Sequence, residues 1–253
     1  MAGQVIRMGG YQGPASVHNR AAHALGERLA EATDGEISLM LIEDVTKLDR
    51  SALDLFDMVE GNALDICYFA SSYLAHRVPG LAVFDLPFSI GSREEIYDML
   101  DNGLDEEIRA DVEDKTGFTV LGFWDNGSRH LTNRLRPIIE PDDCRGLSIR
   151  TMNSVVHQSI FRALGFQPDF IDMKDFPTAI RSEMVDAQEN ALTNTVNFGV
   201  HETHRFATLT GHFYGVSLIL GNAERVDAWS ADTRAAFDAA MQHATALQRS
   251  LAS

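Results

Sequence analysis

Residues 5–16, VIRMGGYQGPAS, join a short apolar strand to the start of a helix through a glycine-rich turn. Ser16 is a favourable N-cap, because its hydroxyl can accept a hydrogen bond from a free amide of the first helical turn. The apolar residues that follow recur at helical spacing: Val17, Ala21, Leu25, Leu29 and Ala32. Strand patterns come next at residues 37–42 and 64–69, with a helical pattern between them. Strands that alternate with helices predict a parallel sheet covered by helices, and therefore an α/β lobe.

The second half of the chain repeats this alternation. Residues 124–128, WDNGS, follow a strand pattern and have the composition of a turn or crossover. Further strand patterns occur at 129–132, 147–151 and 166–171. The apolar run at 213–220 fits a return to the first series of strands. We therefore predict two α/β lobes, 1–123 plus 214–253 and 124–213, with a ligand cleft where they meet.

Composition restricts the classes of function. The 253 residues include 21 Lys and Arg against 37 Asp and Glu, which gives a net charge of −16. An acidic chain without a basic stripe repels phosphate backbones, so we expect no nucleic-acid partner. The longest apolar stretches fall far short of the roughly 20 residues that span a bilayer.

The cysteines and the N-terminus bear on the cellular compartment. Cys67 and Cys144 are too few for a disulfide framework or a zinc cluster, and we expect both to be buried free thiols. The N-terminus has no basic segment followed by an apolar one. We therefore expect either a cytoplasmic protein or a mature form whose leader has been removed.

Motifs for cofactor, metal or nucleophile chemistry are weak. A dinucleotide fingerprint would need glycine in place of Met8, so we expect residues 9–13 to form a tight turn that exposes amides to the cleft. His201, His204 and His212 have no acidic or cysteine partner at metal-ligand spacing. No Gly-x-Ser-x-Gly elbow of a serine hydrolase occurs in the sequence. We expect no cofactor, no metal and no catalytic residue.

Two arginines occupy positions that suit a ligand. Arg129 opens a strand after the predicted crossover, and Arg150 ends one. The carboxyl ends of strands in open α/β sheets face the ligand crevice, and a guanidinium binds a carboxylate through two parallel hydrogen bonds. The alternative is an ordinary ion pair with Glu140 or Asp143, and spacing alone favours neither. Asn190 lies at another strand-to-helix junction and offers a further polar contact.

These junctions carry a family resemblance. Residues 127–133 (GSRHLTN), 141–150 (PDDCRGLSIR) and 185–190 (VDAQEN) occur in order and at suitable separations. Together they resemble the DctP-type substrate-binding proteins of tripartite ATP-independent periplasmic (TRAP) transporters. Three shorter stretches extend the likeness over nearly the whole chain: 85–88, 164–168 and 209–212.

The resemblance implies a type II periplasmic-binding-protein fold, with two α/β lobes that close around a small organic acid. It implies a periplasmic, monomeric receptor that delivers the acid to the membrane subunits of the transporter and catalyses nothing. In the family, the arginine of the Gly-Leu-x-Ile-Arg strand clamps the ligand carboxylate, and here it is Arg150. Arg129 matches a second anion contact, Asn190 matches a polar contact, and Met173 stands where the family often has an aromatic wall. Four further positions are expected to line the cleft: Tyr11, Phe69, Ala70 and Trp124.

Two departures from the family leave alternatives open. The family begins with an export signal and continues well beyond the position of Ser253, so we expect either a processed, trimmed form or a short paralogue. One alternative function is a sensory module that reports a carboxylate to a signalling partner. Another is an enzyme of carboxylate metabolism, which the weak motifs disfavour. The sequence does not distinguish dicarboxylates, sugar acids, keto acids and aromatic acids as ligands.

Overall fold

A mixed sheet of eight strands runs through residues 3–253, the part of the chain that the computed structural model describes. Its strands are β1 (Gln4–Gly9), β2 (Ile37–Ile42), β3 (Ile66–Ala70), β4 (Phe118–Asn133), β5 (Ser148–Thr151), β6 (Gln167–Phe170), β7 (Ala187–Ala191) and β8 (Phe206–Asn222). Their order across the sheet is β2-β1-β3-β8-β4-β7-β5-β6. Strands β1, β2 and β3 are parallel, and so are β5, β6 and β7. The long strands β4 and β8 are antiparallel to each other and join these two parallel groups.

The described residues also form nine α-helices, five of which begin at a side chain that caps the first turn. They are α1 (Val17–Ala32), α2 (Asp54–Glu60), α3 (Arg93–Met99), α4 (Asp105–Lys115), α5 (Val155–Ala163), α6 (Phe176–Arg181), α7 (Leu192–Asn197), α8 (Ala223–Asp227) and α9 (Ala231–Ala252). The Ser16 hydroxyl accepts a hydrogen bond from the Asn19 amide at 3.1 Å, and the Ser154 hydroxyl accepts from the His157 amide at 3.3 Å. The predicted α/β alternation of both halves is therefore confirmed.

The predicted turn at residues 124–128 is wrong. This segment lies inside β4, where Trp124 pairs with Ser217 and Ser128 pairs with Tyr214 of β8. The strand absorbs the turn-like residues as β-bulges, and Gly127 adopts φ +85° at one of them. A Cβ at residue 127 would stand 2.7 Å from the Cβ of Ala191, so glycine also permits a close approach to β7.

The buried hydrophobic residues form two clusters, and the larger one extends into both halves of the molecule. The larger packs around β1, β3 and the first part of β4, and a smaller one lies around β5, with Ile149, Phe161 and Phe166 among its members. Both long strands cross from one half to the other, so the lobe boundaries at 123/124 and 213/214 fall inside β4 and β8. Those two boundaries stay predictions.

Between β3 and α3 the apolar segment Pro79–Asp85 forms a 3-10 helix that buries Leu81 and Phe84. Cys67 and Cys144 are buried free thiols, as predicted. None of the helices in residues 3–253 combines the length and the apolar character that crossing a bilayer requires.

Candidate functional site

The two halves of the molecule meet around a narrow, tightly packed cavity with only about 10 Å³ of free space. Its polar lining consists of Tyr11, Gln12, Tyr73, Asn126, Arg129, Arg150, Asn190 and Asn194. Its apolar lining consists of Ala70, Met152, Met173 and Phe198. All of these residues except Phe198 are buried. The structure therefore brings six of the eight predicted site residues to one closed cavity.

Arg150, in β5, is 1% exposed and has no carboxylate partner in residues 3–253. Its Nε donates to the Ile171 carbonyl at 3.0 Å, and its Nη2 contacts the Tyr73 hydroxyl and the Met173 sulfur at 3.2 Å each. The guanidinium also lies over the Phe176 ring, 4.6 Å from its centroid. These neutral contacts hold the group in place without balancing its charge.

Arg129, in β4, is in a different electrostatic state. Its Nε and Nη2 donate to the two carboxylate oxygens of Glu189 at 2.6 and 2.8 Å, and Nη2 also donates to the Glu189 carbonyl at 3.1 Å. Both side chains are buried. Burial raises the pKa of Glu189, but the charge of Arg129 and contacts with His157 and His212 outweigh it and hold that pKa well below its usual value. Arg129 therefore lines the cavity as one member of an ion pair that has no net charge.

The predicted alternative partners of the arginines are wrong. Asp143 accepts hydrogen bonds from the Ile139 and Glu140 amides at 2.8 and 3.0 Å instead. Glu189 belongs to β7, which pairs with β4 so that residue 189 lies opposite Leu131, close to Arg129. The ion-pair partner of Arg129 is therefore decided by strand pairing across the sheet.

A chain of side-chain amides forms the rest of the polar lining. Asn194 Nδ2 donates to Asn126 Oδ1 at 2.9 Å and to Asn190 Oδ1 at 3.1 Å, and Gln12 Nε2 lies 3.5 Å from Asn194 Oδ1. Asn190 ends up near the end of β7, at the junction with α7, as predicted. Gln12 Oε1 is buried without a hydrogen-bond partner among the described residues. The residues of this lining therefore carry neutral amide donors and one acceptor without a partner in residues 3–253.

Two predicted lining residues, Trp124 and Phe69, lie behind the wall. Trp124 packs near His18 and Tyr68, and its indole nitrogen donates to the Thr245 hydroxyl at 3.2 Å on the α9 side of the sheet. Phe69 contacts Tyr11 edge-on, with 4.9 Å between ring centroids. Alternation along β3 explains Phe69, since its neighbour Ala70 lines the cavity. At Trp124 the bulge between Asp125 and Gly127 interrupts the alternation, so Asn126 lines the cavity and Trp124 does not.

The glycine turn at residues 9–13 does not expose its amides as predicted. The Gly10 amide donates to the Ile42 carbonyl at 2.8 Å, and the Gln12 amide donates to the Glu43 carbonyl at 3.3 Å. The Tyr11 amide donates to the Tyr68 hydroxyl at 3.3 Å. These bonds continue the pairing of β1 past its end, so the loop supplies the side chains of Tyr11 and Gln12 rather than backbone donors.

A buried set of ionisable groups lies behind Glu189. His157 Nδ1 is 3.7 Å from Glu189 Oε1, and His157 Nε2 is 2.9 Å from Asp85 Oδ1. Asp85 also accepts a hydrogen bond from the Ser72 hydroxyl at 2.6 Å. Burial lowers the pKa of His157, but the carboxylates of Asp85 and Glu189 outweigh it and raise that pKa above its ordinary value.

The described residues contain no group of three or more His, Cys, Asp and Glu side chains that could hold a metal ion. His204 Nδ1 pairs with the Thr132 hydroxyl at 2.9 Å. His212 lies 3.4 Å from Glu189 and 2.6 Å from the Thr210 hydroxyl. These histidines have separate structural surroundings.

Sequence reasoning missed several lining residues and one ion-pair partner. The lining residues are Gln12, Tyr73, Asn126, Met152, Asn194 and Phe198. Glu189 stands inside the VDAQEN stretch that carried the resemblance, directly before Asn190, so a local signal existed for it. Of the others, Asn126 lies inside β4, and the rest lie on loops or in and beside short helices, so their positions depend on how the two halves meet.

Comparison with known proteins agrees with this geometry. Residues 8–253 match the DctP family, described as bacterial extracellular solute-binding protein, family 7. The chain belongs to the DctP family. Relatives in this family are named as binding proteins, and the chain is a solute-binding protein rather than an enzyme.

Relatives of the DctP family differ in their ligands. A 2,3-diketo-L-gulonate-binding periplasmic protein of Escherichia coli is 29% identical over 99% of this chain and 76% of its own length. A sugar acid binding protein of Advenella mimigardefordensis, solved with galactonate, has a TM-score of 0.93 at 25% identity, over 100% of this chain and 80% of that one. A TRAP solute-binding protein of Sulfurospirillum deleyianum, solved with succinate, has a TM-score of 0.93 at 26% identity, again over 100% and 80% of the two chains.

Proposed function

We propose that this protein is a periplasmic receptor that binds a small organic acid through Arg150 and delivers it to TRAP transporter membrane subunits. The observation that carries the proposal is the buried, uncompensated charge of Arg150. A buried charge without a partner is strongly destabilising, so a residue kept in this state is suited to an anionic ligand. A carboxylate accepts charge-assisted hydrogen bonds from a guanidinium, and the Nη1 hydrogens of Arg150 have no partner among residues 3–253.

The remaining polar groups support a role in orienting the ligand. Arg129 has two of its nitrogens engaged with Glu189, and the hydrogen atoms of Nη1 have no partner among residues 3–253. Asn190 and Asn126 each retain an amide nitrogen without a protein acceptor in the same part of the chain. In this proposal they bind ligand oxygens on the side away from Arg150, while Met173 packs against the carbon skeleton.

The closed cavity supports a hinge mechanism. Contacts join its walls at the rim: Asp172 accepts hydrogen bonds from the Ser51 hydroxyl at 2.8 Å and from the Ala52 amide at 3.2 Å. Because the lining is almost wholly buried, a ligand enters as the walls separate and is enclosed as they return. The ligand shifts this equilibrium by its stronger binding to the closed arrangement.

Calorimetric titration against a panel of organic acids tests the binding proposal. For the best ligand, Arg150→Ala should lose about 2–5 kcal/mol of binding free energy, because one side of a buried charged pair is removed. Arg181→Ala is the matched control, since this exposed arginine ends α6, the helix whose Phe176 lies under Arg150. Melting curves establish that each variant folds. Unchanged affinity in Arg150→Ala, or no binding by any acid, would overturn the assignment.

Delivery to membrane subunits needs a separate experiment. The receptor and the transporter subunits are reconstituted in vesicles, and uptake of the radiolabelled best ligand is measured. We expect uptake that depends on the wild-type receptor and is lost with Arg150→Ala. Ligand-dependent binding to a signalling protein, without uptake, would instead favour the sensory alternative.

A further inference from the structure

Two arginines line the cavity, but only one of them has a positive charge that no carboxylate of the described residues balances. This argument rests on the proposed function, namely that the cavity binds a carboxylate. Arg129 and Glu189 form a buried pair with three hydrogen bonds, so the pair contributes no net charge. Arg150 has no acidic partner within residues 3–253. Asp172, which follows the carbonyl bonded to Arg150, directs its carboxylate to Ser51 and Ala52 instead.

The charged groups behind this pair add no second positive charge. Asp85 lies 2.9 Å from His157, so a protonated His157 is balanced by that carboxylate. Burial lowers the pKa of His212, which opposes a charge on the imidazole that approaches Glu189. The charged groups around the cavity therefore sum to at most one positive charge, that of Arg150.

The remaining polar lining is uncharged. Gln12, Asn126, Asn190 and Asn194 present amide groups, and Tyr11 and Tyr73 present hydroxyls. Gln12 Oε1 is a buried acceptor without a partner among the described residues, and it suits a hydroxyl donor rather than a second carboxylate. A second carboxylate placed here would lose its hydration without gaining a cation, and burial of an unpaired charge is costly.

We propose that this site selects organic acids with a single carboxylate and neutral hydroxyl groups, and that Glu189 determines this selectivity by cancelling the charge of Arg129. Dicarboxylates of the same length and stereochemistry are disfavoured. Family membership does not decide this point, because the structural relatives above were solved with galactonate in one case and succinate in the other.

Matched pairs of acids test the inference at pH 7.5. D-galactonate differs from galactarate, and D-erythronate from meso-tartrate, only in whether the last carbon is a hydroxymethyl group or a carboxylate. For the pair that binds, we expect the monocarboxylate to bind at least about tenfold more tightly by calorimetry. Glu189→Gln keeps the shape of the side chain and removes its charge. It should reduce the ratio of the two dissociation constants, dicarboxylate over monocarboxylate, by about tenfold or more.

The outcomes separate this inference from the proposed function. If the best ligand of the whole acid panel is a dicarboxylate, or if Glu189→Gln folds and leaves the ratio unchanged, the selectivity inference is overturned while a carboxylate receptor remains. If no acid binds, or Arg150→Ala binds as well as wild type, the proposed function itself fails. The wild-type ratio alone remains decisive should Glu189→Gln fail to fold.

Discussion

Asp85 Oδ1 lies 2.9 Å from His157 Nε2, and both side chains are buried. The contact joins the end of the Pro79–Asp85 helix, from the first half of the chain, to α5 in the second half. On its other face the His157 ring lies 3.7 Å from Glu189, the partner of Arg129. The two halves are therefore joined directly behind the cavity by a contact between a buried carboxylate and a buried imidazole.

Breaking this contact from one side should destabilise the fold. We expect His157→Gln to cost about 3–5 kcal/mol of unfolding free energy, because Asp85 keeps a buried charge without its cationic partner. Urea denaturation of His157→Gln, Asp85→Asn and the double variant measures the coupling. The double variant should be more stable than the sum of the single losses indicates. Strict additivity would contradict an energetic link between the two residues.

Hydrogen bonds at the cavity rim should influence affinity without touching the ligand. Asp172→Asn removes a charged acceptor shared by Ser51 and Ala52, so we expect ligand affinity to fall by about two- to tenfold through a less stable closed arrangement. Stopped-flow measurement should assign most of the change to faster dissociation. Lys174→Met is the comparison, because its contact with Asp49 is exposed and such pairs contribute little. Equal effects of the two variants would contradict this account.

Local rules predicted the parts of the fold that local interactions decide. The β1–α1 unit followed from apolar spacing and from Ser16, whose capping bond is made within four residues. Arg150 was found for a similar reason, since it ends a short apolar strand. Residues 124–128 were misassigned because their bulged path depends on pairing with β8, about ninety residues later in the chain. Bulges and turns both favour glycine and small polar residues, so composition alone does not distinguish them.

Only part of the site was predicted, because its remaining features also depend on contacts between strands that are distant in the sequence. Strand ends identified Arg129, Arg150 and Asn190 as candidates. The charge state of Arg129, however, depends on Glu189 of another strand, and no spacing rule connects those two residues. The positions of Trp124 and Phe69 depended on which face of the sheet each one occupies. A one-residue shift at the bulge between Asp125 and Gly127 changes that alternation along β4.

Acid should destabilise the protein through His18. This imidazole is buried against Tyr68, and burial lowers its pKa to about 3. The unfolded chain binds a proton near pH 6.5, whereas the folded protein does not, so stability is fully present above that pH and falls as pH decreases. The expected slope is about 1.4 kcal/mol per pH unit below 6.5. We expect His18→Gln to have a shallower pH dependence between pH 6 and 4 in urea denaturation.

The exposed histidine of α9, His243, provides the control for that measurement. His243→Gln should keep the wild-type slope. The raised pKa of His157 acts in a separate window, since its contribution is present below pH 6.5 and is lost as pH rises through the folded-state value. A wild-type stability that does not change from pH 6 to pH 4, with His18→Gln identical to it, would contradict the assignment to His18.

Trp124 and Tyr73 should respond differently to the loss of a polar group, because only Tyr73 lines the cavity. Tyr73→Phe removes the hydroxyl that lies 3.2 Å from Arg150 Nη2, and we expect ligand affinity to fall by about two- to tenfold. Trp124→Phe removes the bond to Thr245 and leaves space in the core, so we expect a loss of about 1–3 kcal/mol in stability and no change in affinity. Calorimetry and urea denaturation of both variants measure the two effects. Weaker binding by a folded Trp124→Phe would mean that the cavity wall extends further along β4 than its present lining.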